Sequence, residues 1–163
     1  MIRLIAAIDL MRGVADNNGI PWDLPSDHSY YVKKVAKGRV LMGYNTYEMH
    51  KAILHSKPEY VATSHSELLR DGFLAIHDTD TFLKENTLTW VLGGSKLFES
   101  TIDVADELYI TQVNGDFKCT KFFPSFENKF VLISKSVIKK ENGIEFQYQI
   151  WQNKRLLTTG DLN

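Results

Sequence analysis

Trp90-Val91-Leu92-Gly93-Gly94-Ser95-Lys96-Leu97-Phe98 reads as a buried strand that runs into two glycines and then into a helix. Glycines at such a turn let a ligand or another backbone approach closely, and the helix start presents free N–H groups suited to a phosphate. The spacing is neither a Walker loop nor a G-x-G-x-x-G fingerprint, so a tight structural turn accounts for it about as well. The same order of strand, glycine and helix recurs in Val40-Leu41-Met42-Gly43-Tyr44-Asn45-Thr46-Tyr47-Glu48, where Asn45 and Thr46 are placed to donate to an anion. Two such turns suit the two halves of a pyrophosphate. Together they point modestly to a dinucleotide.

Outward from these turns, eight short apolar runs are bounded by Gly, Pro, Asn or Asp, as strands are. They are Ile2–Ile8, Arg39–Met42, Tyr60–Ala62, Phe73–Ile76, Thr89–Leu92, Glu107–Val113, Phe130–Ile138 and Ile144–Trp151. The first, second and fifth are apolar almost throughout, which suits strands covered on both faces of a parallel sheet. Helices are expected over Ser26–Lys37, with Ser26 as N-cap and Gly38 beyond its end, and over Tyr44–Lys51, Thr79–Glu85 and Ser95–Ile102. Lys139-Lys140-Glu141-Asn142-Gly143 joins the last two strands, and its Asn-Gly pair marks a hairpin. The expectation is an α/β domain. Its central sheet is mixed, mostly parallel and eight-stranded, with about four flanking helices and a C-terminal antiparallel hairpin. Ligands belong at the carboxyl ends of its parallel strands. Residues 1–154 read as this single domain and 155–163 as a C-terminal tail.

Composition narrows the function. The 163 residues are 44% hydrophobic and 24% charged, with 19 basic and 20 acidic side chains and a net charge of −1. No global field attracts nucleic acid or an anionic membrane. The single cysteine, Cys119, suits a reducing cytosol, and the five histidines lack metal spacing, so they read mostly as surface residues and no metal is expected. Leu4-Ile5-Ala6-Ala7-Ile8 is cut short by Asp9, whereas a signal core needs roughly 7–15 apolar residues. No apolar run approaches the roughly 20 residues of a membrane span. No apolar face is left over, which suggests a monomer.

Leu10–Pro25 is a long connection containing Gly19-Ile20-Pro21-Trp22-Asp23-Leu24-Pro25-Ser26-Asp27, and long loops in compact domains are often lids. Asp27 falls in the first turn of the following helix. A lone carboxylate in an apolar pocket exchanges protons near neutrality, although an arbitrary Asp after Ser more often just supports a helix N-terminus.

From Met1 to Lys154 the chain resembles the dihydrofolate reductase family. The resemblance is carried by Ile5-Ala6-Ala7, Pro21-Trp22-x-Leu24-Pro25-x-Asp27, Met42-Gly43-x-x-Thr46-Tyr47-Glu48, Gly93-Gly94, Leu108-Tyr109-x-Thr111 and Phe122-Phe123-Pro124, in family order. It implies a cytoplasmic enzyme of tetrahydrofolate biosynthesis that uses NADPH and binds dihydrofolate, with antifolate inhibitors as possible ligands. By the same resemblance Asp27 assists protonation of the pterin N5, Thr111 orients its carboxylate, and Trp22 holds a water beside it. Ile5, Ala6, Ala7, Ile20, Tyr31 and Phe98 would wall the pterin and nicotinamide, with Ile20 on the mobile loop. The cofactor would lie along Gly43, Tyr44, Asn45, Thr46, Gly93, Gly94, Ser95, Lys96 and Leu97, with a cis peptide between Gly93 and Gly94. Two residues depart from the pattern. Tyr44 stands where an arginine is common, so preference for NADPH would rest on Thr63, Ser64, His65 and Lys96. Lys57 stands where an arginine grips the glutamate tail of folate, so a weaker hold is expected. A related reductase of the riboflavin-pathway type would not need the Pro-Trp…Asp27 block. A non-catalytic binding protein of the same fold would not need Asp27, Trp22 and Thr111 together.

Overall fold

A computed structural model describes residues 1–50 and 58–157. Its middle strand is Ile2–Ile8 (β1). Alternation along β1 sends Leu4 and Ile8 into one core and Ile5 into another, so both faces are buried. After β1 come Gly13–Ala15 (β2), Pro25–Val35 (α1), Arg39–Gly43 (β3), Tyr44–Met49 (α2), Glu59–Ala62 (β4), Phe73–Ile76 (β5) and Thr79–Lys84 (α3). Thr89–Val91 (β6), Ser95–Thr101 (α4), Glu107–Val113 (β7), Lys121–Phe122 (β8), Phe130–Lys135 (β9), Lys139–Glu141 (β10) and Ile144–Asn153 (β11) complete the order.

The main sheet runs β10-β11-β7-β1-β6-β3-β4-β5, with β9 also paired to β11. From β7 to β5 every pairing is parallel, and β11 is antiparallel to β7. Val35 of α1 and Tyr47 of α2 pack with Val40, Met42, Val61 and Trp90 on one face. Phe82 and Leu83 of α3 and Leu97 and Phe98 of α4 pack with Leu4, Leu41, Val91 and Leu108 on the other. This is the expected mixed α/β sheet.

Three details differ from expectation. The run Phe130–Ile138 is not one strand: β9 and β10 both pair with β11, leaving 136–138 between them, so nine strands occupy eight positions across the sheet. Ser136 ends β9's course by donating its N–H to the Tyr148 carbonyl (2.8 Å) and accepting the Tyr148 N–H on its hydroxyl (3.0 Å). The hairpin turn is accordingly Asn142-Gly143 alone, with φ of +51° and +77°, the geometry a two-residue turn requires. Second, α1 starts at Pro25 with Leu24 as its cap residue. Proline fits the first helical position because it has no N–H to satisfy. The Ser26 N–H instead meets Glu141 at 2.9 Å, so Ser26 is not the cap. Third, β2 and β8 form a two-stranded antiparallel sheet within stretches read as loop. Of the expected tail, Arg155 is held by Asp106 (2.7 Å) and by the carbonyls of Asp103, Val104 and Ala105, whereas 158–163 lie outside the described residues.

Asp9, immediately after β1, is 1% exposed. Its Oδ1 accepts the N–H groups of Met11 (2.9 Å) and Gly13 (2.8 Å), and its Oδ2 accepts that of Phe117 (3.1 Å). One carboxylate thus ties the start of the long 10–25 connection to the turn after β7. Asp9→Ala should lower unfolding stability by about 3 kcal/mol, the scale of stranding buried donors. Asp9→Asn, which keeps one acceptor oxygen, should lose less, both read by urea denaturation.

Candidate active site

Parallel pairing of β6, β1 and β7 brings their carboxyl ends to one side of the sheet, where a cavity of about 610 Å³ opens. Ile5, Ala6 and Ala7 of β1 form part of its wall, Leu92 and Gly94 follow β6, and Thr111 comes from β7. The 10–25 connection lies over it as a lid, contributing Val14, Asn18, Gly19, Ile20 and Trp22. Gly19 sits close against α2, since a Cβ there would come 2.7 Å from the Met49 methyl carbon. Ile20 at the tip is 62% exposed, while Trp22 is buried and packs edge-on against Phe117.

Asp27 projects from the first turn of α1 into this cavity and accepts a 2.6 Å hydrogen bond from the Thr111 hydroxyl. Burial raises the Asp27 carboxyl above its ordinary value; the Thr111 bond and nearby His28 oppose the shift, and Glu141 adds to it. Tyr30 and Tyr148 stack beside it with centroids 3.9 Å apart, and burial together with the Asp27 charge pushes both phenols up to about 12. Both remain neutral donors at any physiological pH. The site therefore offers a carboxyl that holds its proton to higher pH than an ordinary aspartate, fixed by one hydroxyl and walled by apolar groups.

The two glycine turns meet. Gly43 donates its N–H to the Gly93 carbonyl at 2.6 Å, and the Gly93–Gly94 peptide is cis. A Cβ on Gly94 would approach the Thr46 hydroxyl oxygen to 3.4 Å, and one on Gly93 would approach the Phe98 ring to 3.0 Å. Gly43 carries the same constraint, with Gly94 N 3.4 Å from its hypothetical Cβ. Neither α2 nor α4 has a side-chain cap, so the first-turn N–H groups of both are open to a ligand. A bare backbone cradle with open donors on two sides fits the pyrophosphate of a dinucleotide.

Of the residues singled out in the sequence, Ile5, Ala6, Ala7, Ile20, Trp22, Asp27, Tyr31, Thr46, Gly94, Phe98 and Thr111 line one cavity. Gly93 and Ser95 flank Gly94 in the chain, and Gly43 is bonded to Gly93; none of the three is part of the lining itself. Tyr44 leans on Tyr47 with ring centroids 5.6 Å apart, and Asn45 and Lys96 are exposed. Thr63 accepts the His65 N–H (3.1 Å), and His65 faces Glu67 at 3.4 Å, with Ser64 exposed between them. The Leu97 side chain is buried in the core, so only its backbone is available. Lys57 lies outside the described residues. Residues not foreseen include Tyr30 on α1 and Met49 and His50 at the end of α2. Rather than lying at the surface, His50 lines the cavity with its Nε2 3.2 Å from buried Glu59. A six-residue helix carries too little periodicity to reveal this.

A buried carboxyl and a glycine cradle on one cavity, at the carboxyl ends of parallel strands, suit a protein that binds a nucleotide beside a proton-exchanging group. The family profile described as dihydrofolate reductase matches residues 1–155. The dihydrofolate reductase of Staphylococcus aureus (strain Mu50) is 33% identical over 126 residues, covering 77% of this chain and 79% of the relative. That of Bacillus subtilis (strain 168) is 25% identical over 166 residues, covering 98% and 99%. A solved structure of the Enterococcus faecalis dihydrofolate reductase, complexed with NADP(H) and RAB-propyl, superposes with a TM-score of 0.83 at 25% identity, covering 94% of this chain and 96% of that one. The chain belongs to the dihydrofolate reductase family.

Because the Thr111 bond lowers the Asp27 carboxyl, Thr111→Val should move its titration to higher pH. The carboxyl ¹³C shift of Asp27 followed against pH reads this directly, and a downward or absent shift would contradict the assigned role.

Proposed function

We propose that this protein reduces 7,8-dihydrofolate to 5,6,7,8-tetrahydrofolate, acting as a cytoplasmic monomer through a catalytic domain spanning residues 1–154. The observation that carries this reading is the Asp27–Thr111 pair, raised by burial, inside the cavity that ends in the glycine cradle. When bound, NADPH supplies the hydride that forms the new C–H bond at C6. The proton that completes the reduction is delivered to N5.

Asp27 has two tasks. Its carboxyl accepts the N–H donors of the pterin ring, which sets the ring's orientation, and it favours a proton at the N5 side of the pocket. Thr111 fixes the carboxyl's rotamer through one oxygen. Trp22, walled in by Phe117, holds a water beside Asp27 for the transfer. Ile5, Ala6, Ala7, Tyr31 and Phe98 exclude other water and confine the reacting carbon, where positioning supplies several kcal/mol. Ile20 closes the cavity from the lid side, a gate without a chemical task. Gly43, Thr46, Gly94 and Ser95 would hold the cofactor's pyrophosphate through backbone and hydroxyl donors, with Asn45, Gly93, Lys96 and the Leu97 backbone alongside. Tyr44, Thr63, Ser64 and His65, at the carboxyl ends of β3 and β4, would face its adenosine end. Lys57 would pair with the glutamate tail as a single charge, without the two-pronged grip of arginine.

Loss of reduced-nicotinamide absorbance with dihydrofolate tests the reading. Turnover should prefer NADPH over NADH and should fall by about 100-fold or more in Asp27→Asn near neutral pH, the scale of general acid catalysis. Tight ligand binding without turnover would overturn it. Lys57→Ala should raise KM for dihydrofolate and leave kcat near the parent value, and an unchanged KM would remove Lys57 from the tail site.

A further inference from the structure

The geometry points to Glu141, at the tip of the β10–β11 hairpin, as a positioning residue for the catalytic acid, acting through the charge that its two bonds to Ser26 hold beside the start of the helix. Glu141 is 115 residues from Ser26 in sequence, yet it takes both Ser26 donors: Oε1 accepts the backbone N–H at 2.9 Å and Oε2 the hydroxyl at 2.5 Å. The α1 helix has no cap of its own, because Leu24 offers no side-chain oxygen. The hairpin supplies that cap from outside. Beside it, Asn142 donates to the Asp23 carbonyl at 3.0 Å, so the same tip also holds the last residues of the lid. One side chain thus fixes where α1 begins, and Asp27 is the next residue.

This inference rests on the reading of Asp27 as the acid. The groups that face Asp27 are Thr111 from β7, His28 and Tyr30 from α1, Tyr148 from β11 and Glu141 from the hairpin, and Asp23 of the lid lines the same cavity. The bonds from Ser26 lower the Glu141 carboxyl, while burial raises that of Asp27. The Ser26 bonds thus favour the ionised form of Glu141. A fixed negative charge there disfavours a second one, so Glu141 keeps Asp27 protonated to higher pH than the cavity would alone.

Glu141→Gln removes the charge and retains an oxygen that can accept the Ser26 N–H. With Asp27 followed by carboxyl ¹³C shift, this variant should titrate at lower pH than the parent, and Glu141→Asp, which keeps the charge, should stay close to the parent. The descending limb of the pH–rate profile should move in the same order, with Glu141→Gln losing rate first as pH rises. Coincident titrations of Glu141→Gln and parent would overturn the inference. So would a Glu141→Asp shift as large as that of Glu141→Gln, which would make the cap geometry the whole effect. Because the NMR titration needs no turnover, an inactive parent would fail the proposed function and leave this inference to be judged on the titrations.

Discussion

β1 has no free edge and no free face, and the rest of the molecule is arranged around that fact. Both its neighbours, β6 and β7, run parallel to it, so Ala7 lies level with Thr111 at the end where all three strands finish. Parallel neighbours require crossovers, and the helices that make them cover the two faces. The cavity opens at the carboxyl ends because the chain leaves the sheet there in different directions. From β1 it goes into the lid, from β6 into the glycine turn and from β7 toward β8. Strand register brings the Asp27 carboxyl, the cradle and the lid together around one cavity.

Within that frame the chemistry at Asp27 is a balance between opposing effects. Burial among apolar residues favours the neutral carboxyl, and a charge-assisted bond from Thr111 favours the ionised one. Burial outweighs the bond, which leaves the group within reach of protonation while its orientation stays fixed. The stacked Tyr30–Tyr148 pair belongs to the same arrangement. Two phenols that stay neutral add walls and hydrogen-bonding capacity without adding a charge that would shift the acid. The aromatic wall and the titrating group are therefore separable features of one pocket.

Local order was the part of this architecture that the sequence made visible. Two strand–glycine–helix turns announced a cradle, and the structure joins them through the Gly43–Gly93 hydrogen bond. The Pro-Trp…Pro-x-Asp block singled out Asp27 by resemblance, while spacing alone left it a plausible helix-start residue. What stayed hidden was long-range or very short. β2 and β8 have three and two residues, below any periodic signal. Val137 and Ile138 look like strand interior, yet they are 75% and 60% exposed at the break between β9 and β10. The Glu141–Ser26 and His50–Glu59 contacts join residues on separate elements, and no local pattern encodes such pairs.

The lid is fastened by two different devices, and the difference bears on how it can work. At its start, Asp9 is buried and gathers three backbone donors, which makes that end part of the core. At its finish, Asp23 is exposed and held from the hairpin tip by Asn142, a contact that water can replace at little cost. Opening that begins at the Asp23 end would leave the Asp9 clamp intact and would carry Gly19 away from Met49, uncovering that side of the cavity. Opening from the other end would strand buried donors and disturb the packing of Gly13 against Cys119. The hairpin therefore meets the site at two adjacent residues with separate contacts, Glu141 on the start of α1 and Asn142 on the end of the lid.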